Sequence, residues 1–269
     1  MGNRAGFLLI VCCILAFTMS GLCADDPTPE QLVALHLKSI GDPAVLSQIK
    51  SVAFTGTSDV EFIKGWFGTS KGTVILVSEG PKMALVTGFP STNYRGEYFA
   101  CDGKAVTVQN YAPGLKSPLA GFLYAYDKIM KNGLLGGVYS NAWPLFSIGG
   151  NGAKMKVRKT RVEGAELYEI EYRPKNYHSD MKICLYFDPE TSRHVRTDYY
   201  LSDYQGYNKR ATLTEKFENF MKVGSLTLPH SYTIWLDGWA GNMQRWKIEA
   251  LEWMFNRPDI DPKIFQANN

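Results

Sequence analysis

The chain reads as mainly β with a few helices: a large curved antiparallel sheet or unclosed β-barrel, its concave face covered by N-terminal and central helices. Three observations predict this. Short runs of alternating apolar and polar residues, bounded by turn signals, recur along most of the chain. One long segment, Lys116 to Phe146, does not alternate and carries apolar residues at helical spacing instead. The aromatic content is high, with 15 Tyr, 14 Phe and 6 Trp, which suits broad half-buried β surfaces.

The N-terminus reads as an export signal over residues 1–24. Arg4 is its positive region, Phe7 to Met19 its apolar stretch, and Ser20 to Ala24 supply small residues for cleavage near Ala24. The apolar run is short for a membrane span of roughly 18 residues or more. The competing reading, a lipoprotein anchored at Cys23, needs a small residue just before the cysteine and an aliphatic one three back. Leu22 and Ser20 stand there in the reverse order. The expected product is a periplasmic chain of about 245 residues, a single domain over 25–269 with a helical insertion over 116–146. Losing Arg4 lowers the formal charge from +3 to +2, which gives no field for nucleic acid or an anionic membrane. A monomer is expected.

Thr28-Pro29-Glu30-Gln31 is a capping box, and Leu32, Leu35 and Ile40 give the helix it starts an apolar side that ends at Gly41. Asp42-Pro43 starts one further helical turn, Ala44 to Ile49. His36 reads as a packed or solvated residue, because no second ligand stands at i+4. Strands are predicted over Val52–Phe62, Gly72–Ser78, Lys82–Thr87, Gly96–Ala100 and Lys104–Asn110, with Asp102-Gly103 as a two-residue hairpin turn. In the insertion, Leu119, Phe122, Leu123, Tyr126, Ile129 and Met130 predict one helix that stops at Asn132-Gly133. A second apolar run to Phe146 follows, broken by Gly136-Gly137 and Pro144. Beyond the flexible joint Gly149 to Gly152, strands are expected over Lys154–Val162, Glu166–Arg173, Met181–Phe187, Val195–Ser202, Lys209–Val223, Pro229–Leu236 and Met243–Phe255.

A search for catalytic patterns finds no nucleophile elbow, zinc-protease helix or P-loop, and no C-x-x-C after residue 24. No cofactor or metal is expected. His178 and Asp180 are two residues where a metal site needs three or four. Asp188-Pro189-Glu190 reads as a turn rather than as paired carboxylates. The Tyr-rich stretch Asp198 to Tyr207 is either an aromatic rim or a hairpin with exposed rings. Trp235, Trp239, Trp246 and Trp253 are expected mostly in the core. Cys101 and Cys184 could form a single disulfide or stand as two buried thiols. In Thr73 to Val77 both faces are apolar, so something must cover the second.

Five segments together resemble a known family: EQLxxxHLKSIG (Glu30–Gly41), GLLGGVYSNAWPLF (Gly133–Phe146), LYFDPETSRHVR (Leu185–Arg196), FxxFxxVGSLTLPH (Phe217–His230) and PDIDPKIF (Pro258–Phe265). They are similar to the LolA/LolB-like outer-membrane lipoprotein carrier superfamily, in a divergent lipoprotein-sorting branch. The resemblance implies an unclosed barrel with helices in its mouth and an apolar cavity for lipid or lipoprotein acyl chains, and envelope membrane proteins as possible partners. It implies no enzyme. The carrier's lid-gating arginine has no assignable counterpart here, and the central insertion makes this chain longer. The cavity is expected under the helical lid, lined by Leu119, Phe122, Leu123, Tyr126, Ile129, Met130, Trp143 and Phe146. Competing functions are an envelope sensor that reads lipid or unfolded protein, and a hydrolase whose residues assemble around His178, His194 or His230.

Overall fold

The computed structural model describes residues 26–63, 68–110, 116–147, 152–175, 181–202, 210–238 and 243–266. The export signal, His178, Asp180, Tyr204, Tyr207 and Trp239 lie outside them. Helix α1 (Pro29–Ile40) starts as expected: Thr28 Oγ1 accepts from Gln31 N, and Gln31 Oε1 accepts from Thr28 N at 2.9 Å. Helix α2 (Pro43–Gln48) is capped by Asp42, whose Oδ1 accepts from Ala44 N at 2.7 Å.

Twelve strands follow: β1 (Ser51–Phe62), β2 (Thr69–Glu79), β3 (Lys82–Gly88), β4 (Glu97–Cys101), β5 (Val106–Asn110), β6 (Lys154–Val162), β7 (Ala165–Arg173), β8 (Met181–Phe187), β9 (His194–Leu201), β10 (Ala211–Val223), β11 (Leu226–Asp237) and β12 (Met243–Phe255). They form one antiparallel sheet in the order β5-β4-β3-β2-β1-β12-β11-β10-β9-β8-β7-β6, which does not close into a barrel. Every predicted strand is present. The Asp102 turn is longer than a two-residue loop, because Asp102 Oδ1 accepts from both Lys104 N and Ala105 N and delays β5 to Val106.

The insertion is two helices rather than one. Helix α3 (Pro118–Ala125) ends at Tyr126, and α4 (Lys128–Lys131) restarts after Asp127. Two 3-10 turns, Gly137–Tyr139 and Pro144–Ser147, complete it. The outer face of β2 is covered in part: Phe265, in a C-terminal 3-10 turn, packs with Ala53, Val77 and Ala84, while Ile75 stays exposed.

One irregularity shapes the concave face. Between β1 and β12, Thr55 faces Glu252 but Gly56 faces Ala250, so Leu251 is an extra residue and β12 bulges. The bulge reverses the inward phase. Trp246, Ile248 and Ala250 are buried before it, while Trp253 and Phe255 turn toward the core after it. Beyond Ser231↔Glu249, β12 leaves β11 and continues along β1. The last rung is stitched by side chains: Asn219 Nδ2 donates to Ser231 Oγ at 2.6 Å, and that hydroxyl donates to Glu249 Oε2 at 2.7 Å. Pro229 sits inside β11 at no cost to a β12 ladder, because β12 has already departed there.

Gly56 permits this approach. A Cβ there would stand 2.0 Å from the Glu249 carbonyl oxygen. Gly56→Ala is expected to cost about 3 kcal/mol of stability by forcing β1 from β12, and equilibrium denaturation in urea checks it.

Candidate functional site

Two buried carboxyl groups fasten the insertion to the sheet. Glu97 on β4 accepts from Ser117 N at 2.6 Å, from the Ser117 hydroxyl, and from Tyr94 Oη at 2.8 Å. Ser117 is the N-cap of α3, so this carboxyl fixes where the helix begins. Glu215 on β10 accepts from Gly136 N at 2.7 Å, from Tyr199 Oη at 2.7 Å, and from Tyr232 Oη. Gly136 has φ 80°, a left-handed turn that glycine adopts freely and that aims its N–H at the carboxyl. Desolvation raises both acids above the ordinary glutamate range, Glu215 to about 7, against the three donors that pull it down. Sequence periodicity gave no sign of either, since each sits at an inward position where an apolar residue would satisfy the pattern.

Anchored this way, the insertion fills the trough. Leu119, Phe122, Leu123, Ile129, Met130 and Trp143 are buried in the main core, and Tyr126 is half-buried against it. Tyr139 stands at the centre, edge-on to Phe54 and Tyr232, and donates to the Pro229 carbonyl at 2.9 Å. Phe146 is 37% exposed and borders a cavity.

That cavity, of about 330 Å³, lies beside the insertion, where β11 and β12 part. Its sheet wall is Val52, Leu226, Leu228 and Phe255. Leu37 and Ile40 of α1, with Pro43, Leu46 and Ile49 of α2 and its exit, form a second wall. Val138, Asn141 and Phe146 of the insertion form the third. Helix α2 has no buried residue and is held at its end by hydrogen bonds. Asn256 Oδ1 accepts from Lys50 N at 2.6 Å, Asn256 Nδ2 donates to Gln48 O at 3.0 Å, and Asn141 Nδ2 donates to Ile49 O at 3.3 Å. A second concavity, about 540 Å³, crosses the outer face of β9 to β12, but polar and charged side chains make up most of its lining, among them Arg196, paired with Asp198 and Glu163, and Lys216, paired with Glu163. The apolar cavity is therefore the better candidate site.

The other candidates resolve into structure. His36 on α1 and His194 on β9 are fully buried against Trp143, with ring centroids 5.0 Å from it in each case. Burial holds His36 down at about 3 and His194 well below its ordinary value, so both rings are neutral packing groups that dock α1 on the sheet. His230 lies edge-on to Trp253. Asp188 Oδ1 caps its own turn at Thr191, as the turn reading requires. Tyr199 faces Glu215 in the core, and Tyr200 lies on the outer face at 38% exposure. Cys101 and Cys184 are free buried thiols, not a disulfide. They stand on the second and tenth strands of the sheet, and Cys184 packs in a separate outer cluster with Leu167 and Tyr186. Among the described residues no group of three or more His, Cys, Asp or Glu could hold a metal, and no helix is long and apolar enough to cross a membrane.

No family model matches the chain, and no curated protein does. Solved structures do. A DUF1329 family protein from Desulfovibrio piger aligns at 9% identity over 88% of this chain and 96% of its own, with a TM-score of 0.50. A LolA superfamily protein from Nitrosomonas europaea aligns at 12% identity over 89% and 98%, with a TM-score of 0.49. A putative outer membrane lipoprotein-sorting protein domain from Vibrio parahaemolyticus aligns at 10% identity over 87% and 95%, also at 0.49. These are likenesses of fold.

Two measurements test the packing. Phe122→Ala is expected to lose about 3–5 kcal/mol of stability and Phe146→Ala under about 1 kcal/mol, read by denaturant titration. For Glu215 the folded value lies above the unfolded 4.5, so its stabilisation is complete below pH 4.5 and is lost as pH rises through 7. Glu215→Gln removes that titration. Its stability relative to wild type should rise by about 3 kcal/mol from pH 4.5 to pH 8. An unchanging difference would assign the titration elsewhere. The histidines cancel in this comparison; their own contribution is complete above 6.5 and is lost as pH falls from there toward 3.

Proposed function

We propose that this chain is an exported, non-catalytic binding or carrier protein of the bacterial periplasm, one domain over 25–269, whose ligand is lipid or lipoprotein acyl chain. The observation that carries the reading is the apolar cavity of about 330 Å³ between α1–α2, the insertion and the parted strands. Burial of a methylene is worth about 0.8 kcal/mol, so such a cavity holds a hydrocarbon chain without any catalytic group. The volume lies at the low end of ligand pockets, which run from roughly 300 to 1,000 Å³. The five segments that resemble the lipoprotein-carrier superfamily agree with this reading, and three of them, Glu30–Gly41, Gly133–Phe146 and Phe217–His230, supply walls of the cavity. In this reading the insertion is a packed wall, with Phe146 touching the ligand and Leu119, Phe122, Leu123, Tyr126, Ile129, Met130 and Trp143 bracing it. The engaged histidines and the capped Asp188 favour binding over hydrolysis.

Native mass spectrometry of protein purified gently from the envelope, followed by lipid extraction, tests the proposal. A stoichiometric lipid adduct is expected. Leu46→Asp, at a half-buried position on α2, should weaken it more than tenfold by placing a charge in the cavity, while leaving stability within about 1 kcal/mol. A clean unliganded mass, with no uptake of added acyl probes, would overturn the reading and turn attention to protein partners.

A further inference from the structure

Size and polarity narrow the ligand further. This step rests on the cavity reading above. A protein cavity of about 150 Å³ is filled by benzene, with six carbons; in proportion, 330 Å³ takes about a dozen carbons, one linear chain and not two or three. The walls are mostly apolar, with Ser47 and Asn141 as their polar side chains. Ser47 Oγ donates to Ala44 O at 2.9 Å and Asn141 Nδ2 donates to Ile49 O at 3.3 Å, while Asn141 Oδ1 is buried without a hydrogen-bond partner. A binding site that recognises a polar body places convergent polar groups within its walls. A lone amide oxygen is an acceptor and gives an anion nothing to bind, so an anionic head stays at the mouth.

Beside the Ser47 wall stands a cation. Lys50 follows α2 immediately, and its Nζ donates to the carbonyl of Ser47, a wall residue, at 2.9 Å. The side chain is exposed, and the α2 sequence PAVLSQ brings no acid beside it. An ammonium has three donors, so a headgroup oxygen can accept from another of them without breaking that bond. Arg257, next to the Asn256 that holds α2, is already paired with Asp259. We infer that the cavity takes the tail, and Lys50 the head, of a single-chain anionic amphiphile, the simplest being a fatty-acid carboxylate.

The test uses the purified chain and fluorescence-displacement titration with dodecanoate, 1-dodecanol and two-chain phosphatidylglycerol at low salt and neutral pH. An exposed ion pair is worth up to about 1 kcal/mol, so dodecanoate should bind about three- to fivefold more tightly than 1-dodecanol. The advantage should vanish in high salt and reverse in Lys50→Glu, while binding of the alcohol stays unchanged. Lys50 is a surface residue, so the variant folds. A carboxylate-to-alcohol ratio that is the same in Lys50→Glu overturns the headgroup assignment and leaves the cavity reading standing, since both chains still bind. Equal uptake of the two-chain lipid overturns the single-chain limit. Failure of every chain to bind overturns this inference and the cavity reading together.

Discussion

The Glu215 carboxyl is the interaction on which the concave face depends. A twelve-stranded sheet presents more apolar surface than two short helices can cover, so the insertion must be held against it. Apolar contact alone is non-directional and would leave the insertion free to slide. The carboxyl converts that contact into one position, because Gly136 N–H, Tyr199 and Tyr232 reach it together in a single arrangement. Desolvating an acid is costly, and its raised proton affinity is the mark of that cost. Glu97 does the same for the first turn of α3. Between these two points the insertion needs only shape to complete its packing.

The cavity arises from a different cause. Its origin is the sheet's own irregularity: a bulge at Leu251, allowed by Gly56, turns the end of β12 away from β11. Strands that part leave a wedge, and α1, α2 and the insertion roof it without filling it. The site is thus bounded by a packed element on one side and on another by a short helix held at its end through asparagine side chains. Those walls differ in what it costs to move them. Displacing α3 would expose side chains such as Phe122, whereas α2 buries none.

Much of this was legible in the chain. Alternation, turn residues and the Thr28 capping box locate all twelve strands and α1, because each is a local rule written in neighbouring residues. The helical spacing from Leu119 to Met130 marks an apolar element correctly, but spacing cannot say whether such an element covers a cavity or fills a core. That depends on the depth of the sheet's curvature. The bulge was hidden for a related reason. In Met243 to Phe255 the inward phase changes at one residue, and a run with Trp, Ile, Ala, Trp and Phe inside it reads as a strand in either phase. Glu97 and Glu215 could not be found by pattern, since the insertion groups they fasten, Ser117 and Gly136, lie 20 and 79 residues away. The two cysteines were undecidable until the strand order separated them.

The strand order has a further consequence, for how the chain reaches this state. The pair β1 and β12, the first strand and the last, joins a block of five strands to a block of seven. A chain that emerges N-terminus first must carry β1, with Phe54 and Val60 exposed, until some 200 residues later its partner is made. Hairpins on either side can form early from neighbours in sequence, but the seam that joins the two halves closes last and at long separation, where the entropy of loop closure is greatest. Until then two half-sheets coexist, each with an open edge able to pair with another chain.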